Sequence, residues 1–338
     1  MPEFRWNPLL NTWTLVATNR QHRPHLPKDF CPFCPKDNKA LPDFEVLAYD
    51  NDFPVMSLEK TQEARNKKQD GKQNAEIRNQ KNTNTIFRSA EAVGKCEVIL
   101  YSPDHDKQLY DLSDEHVLKI VEVWNERFKA LQKDKRVKYI FEFENRGEEV
   151  GVTIHHPHGQ LYAYSFIPVK IREELNNAKA YYQKNKTNLF ADLNAAEKKH
   201  KKRIVYQNNS FIAYIPYFTD YPFGVFVVNK KLKGNITQFT LAEKKDLADM
   251  VKTLSRGFDK IYDRPFPYMM CLHQTPVNEK KYADAEDYFA FHIEYYPPLR
   301  AKDKIKWYAG SEMGAGAAAN PLDVDECAAI LRDKINEA

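Results

Sequence analysis

Apolar residues recur at helical spacing in two long stretches of the chain. Between Asp114 and Lys133, the side chains of Val117, Ile120, Val121, Trp124, Phe128 and Leu131 fall on one helical face, with Ser113 placed to cap the start. From about Leu241 a second helix is expected. Leu247, Met250, Val251, Leu254 and Phe258 line it, and Thr240 with Glu243 forms a capping box at its start. A third helix is expected near Asp323–Ile335. Short β-rich runs predict strands at Trp13–Val16, Glu97–Tyr101, Val137–Phe143, Val225–Val228 and Pro267–Cys271. A polar tract from about Leu58 to Asn84, rich in Lys, Gln, Asn and Glu, reads as a mobile surface insertion; a lid over a site is the alternative.

The order of these pieces repeats. Strand, turn, helix, strand and a His-bearing stretch run from Glu97 to Phe166. The same series returns from Val225 to Tyr296. Upstream, Tyr49-Asp50-Asn51-Asp52-Phe53-Pro54 is echoed by Thr219-Asp220-Tyr221-Pro222. The fold class expected is α+β: two related half-domains, 1–175 and 176–338, each an antiparallel sheet with a helix on one face. Periodicity leaves open whether the two sheets join.

Composition narrows the function. A hydrophobic fraction of 42% with 29% charged residues is that of a globular chain, not a disordered one. A net charge of +4 over 338 residues gives no strong pull toward nucleic acid or a membrane surface. No segment approaches the roughly 20 apolar residues that span a bilayer, and Met-Pro-Glu-Phe-Arg-Trp at the start is not an apolar signal core. The 5 cysteines, Cys31, Cys34, Cys96, Cys271 and Cys327, are odd in number and scattered, which argues against a disulfide framework and for the cytoplasm.

The sharpest segment is His155-His156-Pro157-His158-Gly159-Gln160, followed by the alternating run Leu161 to Phe166. In a strand, His156, His158 and Gln160 share one face, while Pro157 and Gly159 keep the other small. Two imidazoles and an amide in a row are poor core material, because buried polar groups need partners. A surface polar strand or a His-rich metal clip would also give this row. The functional reading is phosphoryl transfer through a histidine: neutral imidazole, with a reference pKa of about 6.5, is a good nucleophile toward phosphorus near neutral pH. Gln160 could donate to a phosphate oxygen but could not act as a base toward water, which suits a transferase.

His-Pro-His-Gly-Gln after Glu144-Asn145-Arg146-Gly147 resembles the galactose-1-phosphate uridylyltransferase family, a branch of the histidine-triad superfamily. Further matching segments are Arg5-Trp6-Asn7-Pro8, Arg20-Gln21-His22-Arg23-Pro24, Cys31-Pro32-Phe33-Cys34, Asn51-Asp52-Phe53, Ser102-Pro103-Asp104-His105, Pro265-Phe266-Pro267-Tyr268 and Tyr295-Tyr296-Pro297-Pro298-Leu299. The resemblance implies a duplicated histidine-triad-like fold and a double displacement in galactose metabolism. His158 would take the uridylyl group from UDP-glucose and pass it to galactose 1-phosphate, with Gln160 holding a phosphoryl oxygen. It implies Arg20, Arg23 and Asn145 as phosphate and substrate contacts, Asn51, Asp52 and Phe53 on the uridine side, and a hydroxyl role for Thr153. Ile154 and His155 depart from the family's usual Asn-Pro.

The Cys31–Cys34 spacing suits tetrahedral zinc or a redox pair. The resemblance favours zinc and adds His105 and His156 as ligands. It assigns a second metal, iron or zinc, to Glu174, His273, His292 and Glu294, the last standing where the family has His. In the family a C-terminal segment crosses to the partner of a homodimer and contacts the hexose. Here Lys306, Trp307 and Glu312 match it, whereas Ser311 and the small-residue run from Gly314 to Ala319 do not, which implies a roomier hexose pocket. His22, His25, His116 and His200 read as surface residues. Two other functions fit the residues: a relative acting on another nucleotide sugar, such as an ADP-glucose phosphorylase, and a nucleotide-binding histidine-triad protein without turnover. Intact His158 and Gln160 disfavour the latter.

Overall fold

The computed structural model describes residues 2–18, 30–38, 41–59 and 86–337. Arg20, His22, Arg23, His25 and residues 60–84 of the polar tract lie outside them. In chain order the elements are β1 (Glu3–Asn7), β2 (Thr12–Val16), β3 (Leu47–Asp50), β4 (Ser89–Glu91), β5 (Gly94–Leu100), α1 (Asp114–Leu131), β6 (Tyr139–Arg146) and β7 (His158–Tyr164). They continue with α2 (Val169–Asn185), α3 (Leu189–His200), β8 (Ile204–Gln207), β9 (Phe211–Tyr214), β10 (Phe226–Asn229), α4 (Leu241–Tyr262), β11 (Tyr268–His273), β12 (His292–Tyr296), β13 (Leu299–Ala301), β14 (Lys304–Ile305) and α5 (Val324–Asn336).

Both long amphipathic helices form with the caps their sequences carry. Ser113 accepts from His116 N at the start of α1, and Thr240 exchanges bonds with Glu243 at the start of α4. Such caps contribute about 1 kcal/mol each. The sheets of the two halves do join. One 9-stranded sheet runs β3-β5-β7-β6-β11-β12-β10-β9-β8. The seam is the antiparallel pair β6–β11, with Asn145 opposite Met269 and Glu144 opposite Met270. Outward from it the order is β6, β7, β5, β3 on one side and β11, β12, β10, β9 on the other, so the sequence repeat becomes a two-fold-like doubling.

Strand alternation divides the sheet into two unlike faces. Ile99, Ile140, Leu161, Ala163, Val227, Met270 and Ile293 point to the core under α1 and α4. Cys31, Phe33, Val98 and Leu100 cluster on the other face, and so do Phe4, Cys96 and Tyr162, beneath the small β2-β1-β4 sheet. Over β9 and β10, Ile171, Leu175 and Phe190 of α2 and α3 pack on Tyr139, Ile212 and Val228. A buried ion pair pins the halves. Arg146 donates to both carboxylate oxygens of Asp259 at 2.5 and 2.7 Å, and Asp259 also accepts from Tyr110 and from Phe266 N.

Candidate active site

β7 begins at His158, two residues later than the His row suggested, so His156 precedes the strand. Its imidazole is 1% exposed. His156 Nε2 lies 2.7 Å from Ser102 O, and only an N–H can face a carbonyl there. That fixes the lone pair on Nδ1, which lies 3.4 Å from Cys34 Sγ. His158 has the opposite tautomer. Its Nδ1 donates to the carbonyl of His156 at 2.7 Å, leaving Nε2 as the basic nitrogen. One backbone carbonyl thus orients the half-buried His158 ring, and one tetrapeptide presents two imidazoles in different chemical roles.

Cys31, Cys34, His105 and His156 converge, their ligand atoms all within 4.8 Å of one another. The Cys31–Cys34 turn is built for this: Cys34 N bonds to Cys31 O, and Asp37 Oδ2 accepts from Cys31 N at 2.8 Å. Cys34 Sγ lies 3.3 Å from His105 Nδ1. Burial first, then the neighbouring Cys31, pushes the Cys34 thiol up to about 12. Burial also lowers His156, holding it neutral. A dication would offset the first effect and suit the second, so this donor set fits a metal. Phe33, between the two cysteines, meets the His158 ring edge-on at 5.0 Å and the His156 ring at 6.1 Å. The cysteine turn therefore packs directly on the candidate nucleophile. Phe33 was not singled out in the sequence, although its place inside the CxxC spacing was the available signal.

A cavity of about 220 Å³ opens beside His158, lined among others by Asn145, Gly147, His155, Glu144 and Tyr268. Thr153 Oγ1 is buried with no hydrogen-bond partner among the described residues, and neither Thr153 nor Gln160 lines that cavity. Gln160 is 8% exposed on β7, opposite Phe143 of β6. Asn51 is tied through its backbone N–H to Cys96 O, level with Tyr162, and its side chain accepts from Phe53 N. Asp52 is exposed and Phe53 half-buried. Under the strand, a Cβ on Gly159 would stand 2.4 Å from the hydroxyl of Tyr101. Glycine at this point of the motif is therefore a packing requirement.

Lys306, Trp307 and Glu312 do not line the cavity beside His158. Lys306 is buried, 3.6 Å from Glu312 and stacked over Tyr308, and Trp307 is 66% exposed. Gly310–Ala315 forms one wide helical turn ending at Gly316. His116 is not a surface residue: it is half-buried, with Nε2 donating to Tyr101 O at 2.7 Å. His200 is exposed and faces Asp325.

The second His cluster repeats the geometry of the first. His292 opens β12 as His158 opens β7, and its Nδ1 also donates to the carbonyl two residues back, Ala290 O, at 2.9 Å. Glu174, His273 and His292 converge there. Glu294, expected as the fourth ligand, is not one of the converging donors. Its carboxylate is held by Lys170 Nζ at 2.5 Å and by the Tyr296 hydroxyl.

The doubled α+β fold is shared with proteins of the uridylyltransferase class. A solved structure described as that of uridylyltransferase matches with a TM-score of 0.82 and 28% identity, over 99% of each chain. An ADP-glucose phosphorylase from Arabidopsis thaliana, with bound ADP-glucose, shares the fold with a TM-score of 0.72 and 21% identity, over 98% of this chain and 99% of that one. Residues 1–168 match the family model for the galactose-1-phosphate uridyl transferase N-terminal domain, and residues 174–332 that for the C-terminal domain. The galactose-1-phosphate uridylyltransferase of Thermotoga maritima is 34% identical over 334 residues, 98% of each chain. That of Saccharomyces cerevisiae is 31% identical over 356 residues, 97% of this chain and 93% of its own. The chain belongs to the galactose-1-phosphate uridylyltransferase family. No helix of the described residues is long and apolar enough to cross a membrane.

Proposed function

We propose that this chain converts UDP-glucose and galactose 1-phosphate to glucose 1-phosphate and UDP-galactose by ping-pong transfer through uridylyl-His158. The observation that carries the reading is the fixed tautomer of His158, which lines the cavity: the Nδ1–H to His156 O bond makes Nε2 the basic, nucleophilic nitrogen. Nε2 attacks the α-phosphorus of UDP-glucose. The bond to the bridging oxygen breaks, and glucose 1-phosphate leaves with the electron pair. A phosphate oxygen of galactose 1-phosphate then attacks the same phosphorus, and the N–P bond breaks, returning the pair to Nε2. As His158 becomes cationic, the His156 carbonyl stabilises it. The Gln160 amide and the Thr153 hydroxyl donate to the non-bridging oxygens, where charge develops. Neither deprotonates water, so the intermediate survives until the acceptor arrives.

Asn145 contacts the phosphates from the cavity wall, joined by Arg20 and Arg23. Asn51, Asp52 and Phe53 take the uridine. Cys31, Cys34, His105 and His156 hold zinc, which braces the turn that positions His158 and takes no part in the transfer. Lys306, Trp307 and Glu312 lie away from the cavity of their own chain, which supports their serving the hexose of the partner in a homodimer. The two halves divide at 175/176. None of the 5 cysteines forms a disulfide, which supports a cytoplasmic setting.

Product analysis tests the reading. The chain is offered UDP-glucose with galactose 1-phosphate and, separately, ADP-glucose with inorganic phosphate. UDP-galactose from the first mixture, abolished by His158→Gly, is expected. Turnover of the second alone would make it an adenylyl-sugar phosphorylase, and turnover of neither a nucleotide-binding protein.

A further inference from the structure

Glu174, His273, His292 and Glu294 are the residues the family resemblance assigns to a second metal; the first three bring their donor atoms together, but the four do not form a set open to a cation. The obstacle is Lys170, in the first turn of α2. Its ammonium is 2.5 Å from Glu294 Oε2, 3.9 Å from Glu174 Oε1 and 4.6 Å from the centre of the Tyr296 ring, whose hydroxyl it also meets. A positive charge is therefore already lodged between the two carboxylates a cation would need. The two histidines face the same carboxylates. His273 Nδ1 faces Glu174 Oε2 at 2.8 Å, and His292 Nε2 is 3.5 Å from Glu294 Oε1.

We propose that Lys170 supplies the positive charge of this centre in place of a metal ion, so that the chain carries one metal site and one metal-free ionic brace. The brace joins α2 to β11 and β12. Lys170 and Glu174 stand one turn apart on the same helix face, reaching His273 and Glu294 on neighbouring strands. Glu174 and Glu294 both face the ammonium, where a histidine in place of Glu294 would leave it facing one carboxylate. An ammonium about 4 Å from a bound dication, at an effective dielectric of about 20, weakens metal binding on the order of a thousandfold or more. Moving it aside would take the ammonium from the Glu294 carboxylate, which is only 3% exposed.

Cobalt(II) reconstitution of the full chain, read by elemental analysis and by visible absorption, tests this. Wild-type protein should bind about one cobalt, with thiolate charge-transfer absorption, and Cys31→Ser with Cys34→Ser should bind none. Lys170→Gln should gain a second cobalt that has no thiolate band and is lost when His273→Ala is added. Lys170→Arg should not gain it. A second cobalt in the wild type that survives the cysteine substitutions and requires His273 would overturn the proposal. So would a folded Lys170→Gln protein that still binds only one. Should Lys170→Gln not fold, the wild-type stoichiometry decides alone.

Discussion

Gly159→Ala should damage this chain, and Tyr101→Phe should partly repair it. The new methyl carbon would lie 2.4 Å from Tyr101 Oη, 3.0 Å from Cζ and 3.2 Å from Cε1. Tyr101 is 1% exposed and packs edge-on against Trp124 at 6.4 Å, so the ring has nowhere to swing. Overpacking of this kind costs about 1–3 kcal/mol. The alternative to moving Tyr101 is to lift β7, and His158 with it. Removing the hydroxyl takes away the closest of the three contacts. It also removes a hydrogen-bonding neighbour of buried Glu144, costing about 1 kcal/mol in the single variant. The double variant should therefore lose less stability than the two singles together, with a coupling of about 1–2 kcal/mol. Urea unfolding of all four proteins measures it. The rate of His158 labelling by UDP-glucose should fall in Gly159→Ala and recover in the double. Strict additivity in stability, with no recovery in rate, would refute the account of the glycine.

Three further outcomes are expected. Cys31→Ser with Cys34→Ser should abolish zinc in elemental analysis and lower the thermal midpoint, and because Phe33 touches His158 it should slow labelling without abolishing it; full zinc occupancy would exclude these ligands. Burial raises the carboxyl of Glu142 from 4.5 to about 8 and that of Glu144 to about 7. The folded chain therefore keeps protons that the unfolded chain releases, and stability falls as pH rises from about 4.5 to 8, then levels. Glu142→Gln should flatten that slope in urea midpoints taken between these limits, and an unchanged slope would show the carboxyl to be ionised. Light scattering should find a homodimer, with Glu312→Ala slowing transfer to the hexose phosphate more than formation of the adduct; a fully active monomer would exclude a shared site.

What was legible in the sequence follows from how strongly each segment repeats. α1 and α4 carry an apolar stripe and a capping residue, and both emerged with their caps as expected. α2 and α3 were not expected. Their stripes are thin: Ile171, Leu175 and Ala178 are the buried apolar residues of α2, set among Lys, Asn and Glu. The joining of the sheets at β6–β11 is a pairing across more than 120 residues, which no local period encodes. β6 itself misleads. Glutamates are rarely buried, yet Glu142 and Glu144 point under the helices, where Gln274 and Tyr268 meet them. In the site, residue types and spacing placed the Cys31–Cys34 pair and the His158 strand, and the family resemblance supplied His105 and His156. The carbonyl of His156 that sets the His158 tautomer, the Phe33 contact and the Lys170 ammonium depend on the folded backbone.

The central claim is a covalent intermediate on His158, and intact-mass measurement tests it most directly. The protein is mixed with UDP-glucose alone, quenched and weighed, then weighed again after galactose 1-phosphate is added. The account predicts a mass gain of one uridylyl group, located on His158 by peptide mapping, discharged by the acceptor and missing from His158→Gly. Turnover with no adduct in the wild type, or an adduct that persists in His158→Gly, would contradict it.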